Sequence, residues 1–389
     1  MRYTLIFLIL TALSLTGCST LNSLSAYQKL PDNYRVLFWP QDRRDDAFVN
    51  AENLAETANI PAGIPSELRE GSFIKLEKVD QYFKDQHLAG LLVLHKGEIV
   101  YEQYGRSLTH EKRWSSFSVA KSITSTLVGA AIKDGYIGSM DDLITQYIPE
   151  LKESAYDAVT IRHLLTMTSG VKWDENYGNP NSDVAQFITH IPEKGIDLTV
   201  SYLQSLDRSA PPGDKFNYNT GETNLAGILV ARATGKKLAE YLSEKIWVPY
   251  GMESDAIWVL DSSGTEIAGC CLSARLRDYG RFGQFIMDGA KVDGVSILPD
   301  GWLNSATSSQ KNLNGRAGYG FFWWTSENGS YDARGIFGQR IAMVPSHNYL
   351  VVTLSNWPNA NGSPDIWKSA IEMYNDITKA LFSDNPDLK

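Results

Sequence analysis

The chain holds little of what many enzyme classes require. Three cysteines are present in 389 residues, Cys18, Cys270 and Cys271, and two of them are neighbours. Adjacent cysteines seldom bridge each other, so no disulfide framework is expected and both read as small packed residues. The six histidines fall in no HExxH pattern and no paired ligand spacing. No metal or cofactor is therefore expected. No Gly-x-Ser-x-Gly elbow occurs, which removes the α/β-hydrolase reading at its first requirement. With 36 basic against 45 acidic residues and a net charge of −9, there is no basic excess to hold nucleic acid. Hydrophobic and charged fractions of 43% and 21% are ordinary for a folded protein of one large domain or two moderate ones.

Long apolar runs are also scarce; one stands at the start, from Leu5 to Leu15 behind Arg2. Its length suits a secretory signal over residues 1–17 rather than a spanning helix. It ends in Leu15-Thr16-Gly17-Cys18, which resembles a bacterial lipobox, and this implies cleavage before Cys18 and acylation of its thiol. The expected location is the bacterial cell envelope, lipid-anchored, with Ser19 pointing to the periplasmic face of the outer membrane. The partners expected are that membrane and a small ester or amide substrate; oligomeric state is not read from the sequence.

From 18 to 70 the chain reads as a tether that wraps onto a body spanning 71–385. Helical spacing from Phe73 to Phe83 precedes a hairpin of Leu88–Leu94 and Ile99–Tyr104. Strand signals return at Tyr319–Trp324, Gly335–Val344 and Tyr349–Leu354, before a last amphipathic helix through Ile366, Met373 and Ile377. Between about 114 and 310 the pattern is helical and loop-rich. One antiparallel sheet closed by terminal helices around a helical insert is the expected α/β arrangement, of α+β type.

Chemistry concentrates at Ser118-Val119-Ala120-Lys121, where a hydroxyl and an amine share one helix face. The spacing alone is weak, since Ser72/Lys75, Ser169/Lys172 and Ser308/Lys311 repeat it. Context separates them: only Ser118 opens a helix with a broad apolar face, through Ile123, Leu127, Val128 and Ala131, and a stop at Gly135. Unpaired N–H groups and the helix dipole there favour a developing alkoxide. The competing reading makes Ser118 a helix cap and Lys121 a solvated side chain. Tyr218, in a loop before the helix from Gly221 to Gly235, is a candidate shared acid and base. The segment Gly335-Ile336-Phe337-Gly338-Gln339-Arg340 is either a strand approaching the helix start, giving a second N–H for an oxyanion hole, or a β-bulge.

Ser-x-x-Lys on a helix start, a Tyr-x-Thr about a hundred residues on, and a glycine-bearing strand before a C-terminal helix together resemble the serine β-lactamase and penicillin-binding protein superfamily. The order is closer to its class C-like branch of esterases, D-amino-acid-directed peptidases and 6-aminohexanoate-dimer hydrolases. The resemblance runs from about 71 to 385 and implies a β-lactamase/transpeptidase-like fold. It implies Ser118 as nucleophile, Lys121 as base, Tyr218 as proton relay, and oxyanion N–H groups from Ser118 and either Gln339 or Arg340. Thr220 stands where lactamases usually carry Asn, and Ile336 or Phe337 stands where Lys or His contacts a carboxylate. The strand is thus expected to lack that cation unless Arg340 faces inward. Trp173, Tyr177, Trp323 and Trp324 are candidates for the cleft wall or for ordinary core. The expected activity is a serine hydrolase cleaving an ester or linear amide. The alternatives are a β-lactamase or D-alanyl carboxypeptidase, and a non-catalytic lipoprotein that binds cell-wall peptides.

Overall fold

A computed structural model describes residues 36–313 and 317–382. The expected signal segment and Cys18 lie outside the described residues. The main sheet is antiparallel throughout, in the order Glu98–Tyr104, Leu88–His95, Tyr349–Ser355, Gln339–Val344, Tyr331–Gly335, Trp324–Ser326, Ala317–Tyr319, Lys311–Asn312. N- and C-terminal parts of the chain meet at its second and third strands, where Leu91 pairs with Thr353 and Val93 with Val351.

Successive residues of Leu88–His95 point to opposite faces, and both faces are covered. Leu91 and Val93 face Tyr82 of the helix Val79–Asp85 and Met373 and Ile377 of the helix Pro364–Phe382. Leu92 and Leu94 face the larger core with Phe282 and the helical insert. That two-sided burial explains why the strand reads as a continuous apolar run.

Several expected boundaries shift. The helix expected from Phe73 to Phe83 is observed at Val79–Asp85, preceded by an unanticipated helix at Gln41–Val49. Tyr319–Trp324 is not one strand: it spans the turn between Ala317–Tyr319 and Trp324–Ser326, with Phe322 at a positive φ of 59°. Gly335–Val344 divides likewise, and Ile336–Gly338 forms a hairpin loop closed by the pair Gly335 and Gln339. Phe337 (φ 60°) and Gly338 (φ 90°) turn the chain there. A second, four-stranded sheet orders Thr57–Ile60, Ala256–Val259, Leu272–Ala274 and Trp114–Ser115. It was not anticipated, and it holds the segment that leads into Ser118. Cys270 and Cys271 are joined by a disulfide, against the expectation of two free packed thiols. The lead-in is tied down by Arg44, whose guanidinium donates to Asn356 Oδ1 (2.9 Å), Trp39 O (2.8 Å) and Trp357 O (2.6 Å). Among the described residues no helix is long and apolar enough to cross a membrane.

Candidate active site

Ser118 sits where a short strand turns into a helix. Trp114–Ser115 pairs with Leu272–Ala274, and Ser116 N–H donates to Leu272 O at 2.7 Å. Phe117 follows in the left-handed region at φ 44°, a strained conformation for a bulky residue. The helix Val119–Lys133 then begins with Ser118 as its N-cap. The Ser118 hydroxyl makes no capping hydrogen bond. It opens instead on the cleft that Tyr218 also lines. The capping reading therefore does not account for this serine.

Lys121 lies one turn along and is 1% exposed, so it is no solvated side chain. Its Nζ donates to Gly269 O (2.8 Å) and Thr220 Oγ1 (2.9 Å), and sits 5.2 Å from the Tyr218 ring centroid. The Thr220 hydroxyl donates in turn to Glu175 Oε1, so toward Lys121 its oxygen is an acceptor. A neutral amine has two hydrogens, and Gly269 and Thr220 engage both. The lone pair is then what remains to take a proton. Burial lowers the Lys121 pKa from 10.5 to about 8, opposed by the nearby Glu175 carboxylate. Burial, then the Glu175 charge, raises the Tyr218 phenol far enough to keep it protonated near neutrality, while the Ser118 hydroxyl pulls the other way.

Glu175 escaped the sequence reading. Its carboxylate accepts from Thr220 N (3.0 Å), Tyr177 OH (2.7 Å), Thr220 Oγ1 and Trp173 Nε1. It thereby fixes three of the residues proposed from sequence. A single acid in a polar loop has no periodicity to mark it, and only the fold brings residue 175 to residue 220. Gly269 and Asn224 were missed likewise. Asn224 Oδ1 accepts from Gly269 N at 2.7 Å, which fixes the peptide whose carbonyl holds Lys121. A Cβ at Gly269 would stand 2.8 Å from Thr220 O, so the close approach requires glycine.

A cleft of about 460 Å³ opens from Ser118 past Tyr218, Tyr177, Glu175 and Trp324. Tyr218 stacks on Trp324, with centroids 5.7 Å apart. Trp173 reaches the site through Glu175, whereas Trp323 is core, 1% exposed and stacked on Phe282. Gln339 and Arg340 also border the cleft. The Gln339 side chain is buried, donating to Ile336 O (3.1 Å) and Ser355 O (2.8 Å) and accepting from Trp114 Nε1 (3.1 Å). Gly335 is the residue pressed against the nucleophile turn: a Cβ there would lie 2.5 Å from Ser116 O. Ile336 brings no cation, and the exception left open for Arg340 is the case observed: Arg340 borders the cleft, as does Arg334. Both are tied to Asp332, Arg334 Nε at 2.7 Å, and Asp332 is 3% exposed.

Residues 77–372 match the family profile described as Beta-lactamase. The chain is 28% identical over 339 residues to the 6-aminohexanoate-dimer hydrolase of Paenarthrobacter ureafaciens, covering 80% of this chain and 85% of that one. It is 28% identical over 190 residues to Esterase EstB of Burkholderia gladioli, 44% of this chain and 48% of that one. A solved structure from Bacillus anthracis, provisionally described as a 6-aminohexanoate-dimer hydrolase, matches with a TM-score of 0.76 at 25% identity, over 87% of this chain and 95% of that one. A class C beta-lactamase shares the fold, with a TM-score of 0.59 at 16% identity over 77% and 93% of the two chains. With a family profile spanning most of the body and the antiparallel sheet and helical insert of its structural neighbours, the chain belongs to the beta-lactamase family.

Proposed function

We propose that this protein is a serine hydrolase that cleaves carboxylic esters or linear amides through an acyl-enzyme on Ser118. The observation that carries the reading is the Ser118 hydroxyl, free of capping, on one cleft with Tyr218 and one helical turn from a buried Lys121 whose amine lies 5.2 Å from the Tyr218 ring. Lys121 in its neutral form takes the serine proton as Oγ attacks the carbonyl carbon. The tetrahedral intermediate collapses as Tyr218 gives its proton to the leaving oxygen or nitrogen, and the Lys121 ammonium reprotonates the tyrosine. Water then hydrolyses the acyl ester by the same relay in reverse.

The backbone N–H of Ser118 is one oxyanion donor. For the second we favour Ile336 over Gln339 or Arg340, since Gly335 packs on the nucleophile turn and Ile336 borders the cleft with Ser118. Relatives named for an amide and an ester substrate support this reaction class. A second reading, cleavage of β-lactams or D-alanyl peptides, draws on the two cleft arginines as carboxylate anchors; their shared bond to Asp332 counts against it. Attachment to the envelope through acylated Cys18 belongs to the same proposal, and loss of acyl labelling in Cys18→Ala tests it.

The deciding measurement is intact-protein mass after brief exposure to p-nitrophenyl acetate and to a fluorophosphonate. An adduct on Ser118, absent in Ser118→Ala, is expected. Rapid nitrocefin turnover with no ester cleavage would move the assignment to the second reading, and an unmodified Ser118 would remove both.

A further inference from the structure

Ser118 borders two cavities, and they differ in chemistry. The open cleft holds Tyr218, Glu175 and the two arginines. The second, of about 150 Å³, holds none of these: among the described residues its wall contains no charged side chain. One side is built by Val184, Phe187 and Ile188, another by the joined pair Cys270 and Cys271. A third comes from the lead-in, through Leu37, Phe48 and Leu54, upstream of the residues 77–372 that match the family profile. Tyr177 and Ile336 border both cavities, so the boundary between them runs beside Ser118.

The direction of a bound substrate follows from Tyr218. The leaving group must meet the phenol that protonates it, and that phenol borders only the open cleft. The acyl chain, on the other side of the attacked carbonyl, then enters the smaller, apolar cavity. An apolar cavity of about 150 Å³ accommodates a six-carbon group such as benzene. A terminal charge would be buried there with no partner, at a cost far above anything packing returns.

We propose that the smaller, apolar cavity is the acyl pocket, and that the protein selects uncharged, apolar acyl groups of about four to six carbons over longer chains and over ω-amino acyl groups. This rests on the hydrolase reading above and names its substrate class. Each methylene moved from water into such a cavity is worth a factor of about four.

The test is kcat/KM of the full-length protein for p-nitrophenyl esters from acetyl to dodecanoyl, with p-nitrophenyl 6-aminohexanoate beside the hexanoate. A rise of at least tenfold from acetyl to a maximum between butyryl and hexanoyl is expected, with at least a tenfold fall by dodecanoyl. The 6-aminohexanoyl ester should fall at least tenfold below hexanoyl. Ala185→Phe, which fills the cavity, should lower the hexanoyl-to-acetyl ratio about tenfold. Leu37→Ala, at a half-buried wall position, should move the maximum to longer chains. Ester turnover through Ser118 with a flat series, a maximum at acetyl or dodecanoyl, or equal rates for the charged and uncharged six-carbon acyl groups would overturn the pocket and leave the hydrolase reading standing. No turnover of any ester and no Ser118 adduct would overturn both.

Discussion

At the scale of single residues, the site depends on keeping one lysine neutral against a carboxylate that favours its charge. Burial holds Lys121 at about 8, and Glu175 opposes that shift. The neutral amine is the active form, so kcat/KM for an ester should rise about tenfold per pH unit up to about 8 and then level. Glu175→Gln keeps an acceptor for Thr220 and Tyr177 but removes the charge, so the midpoint of that limb should move to lower pH. A profile unchanged in Glu175→Gln would show that Lys121 does not set the acidic limb. Lys121→Ala should lose roughly 10³-fold in kcat/KM, the scale of a lost general base. The serine and lysine were legible in the sequence because i and i+3 on a helix need no tertiary information. Glu175 was not, because its link to the catalytic lysine runs through Thr220, 45 residues away.

At the scale of elements, legibility followed periodicity. The Ser118 helix, observed at Val119–Lys133, and the helix Thr220–Thr234, closed by Gly235 at φ 69°, lie within a residue or two of the sequence reading. The Pro345-to-Asn348 turn was legible from its proline and asparagine, whereas turns carried by an aromatic were not. Phe337 and Phe322 adopt positive φ, a choice no aromatic advertises, so each hairpin read as one strand. The hairpin at 336–338 matters for catalysis because it ends a strand against the nucleophile turn. Gly335→Ala would set a Cβ 2.5 Å from Ser116 O and 3.0 Å from Phe117 Cβ. Ser116 is held to the small sheet through Leu272 O, so the hairpin must yield. Loss of about 10²–10³ in kcat is expected, the cost of one misplaced oxyanion donor, with Ser118 still open to fluorophosphonate. Unchanged kcat would place the second donor elsewhere.

At the scale of the whole molecule, the buried helical core carries a titration of its own. Glu222, in the first turn of Thr220–Thr234, is 1% exposed and meets Tyr156 OH at 3.4 Å. Burial raises its pKa from 4.5 to about 8, only partly relieved by hydrogen bonds from Ser169 and Tyr156. The sign follows directly. Between pH 4.5 and 8 the unfolded chain releases this proton while the folded chain keeps it, so the folded state binds more protons and loses stability as pH rises. At full effect one such group changes stability by about 1.4 kcal/mol per pH unit. Asp261 and Asp278, raised by burial to about 6, add the same slope below that pH. Glu222→Gln keeps the shape and removes the proton, so its Tm relative to the parent should climb between pH 5 and pH 8. A gain of at least 3 °C across that window is expected for a chain of this size. Parallel Tm curves for the two proteins would mean that Glu222 is ionised in the folded state, and that the core around Tyr156 and Ser169 supplies charge compensation that burial alone denies it.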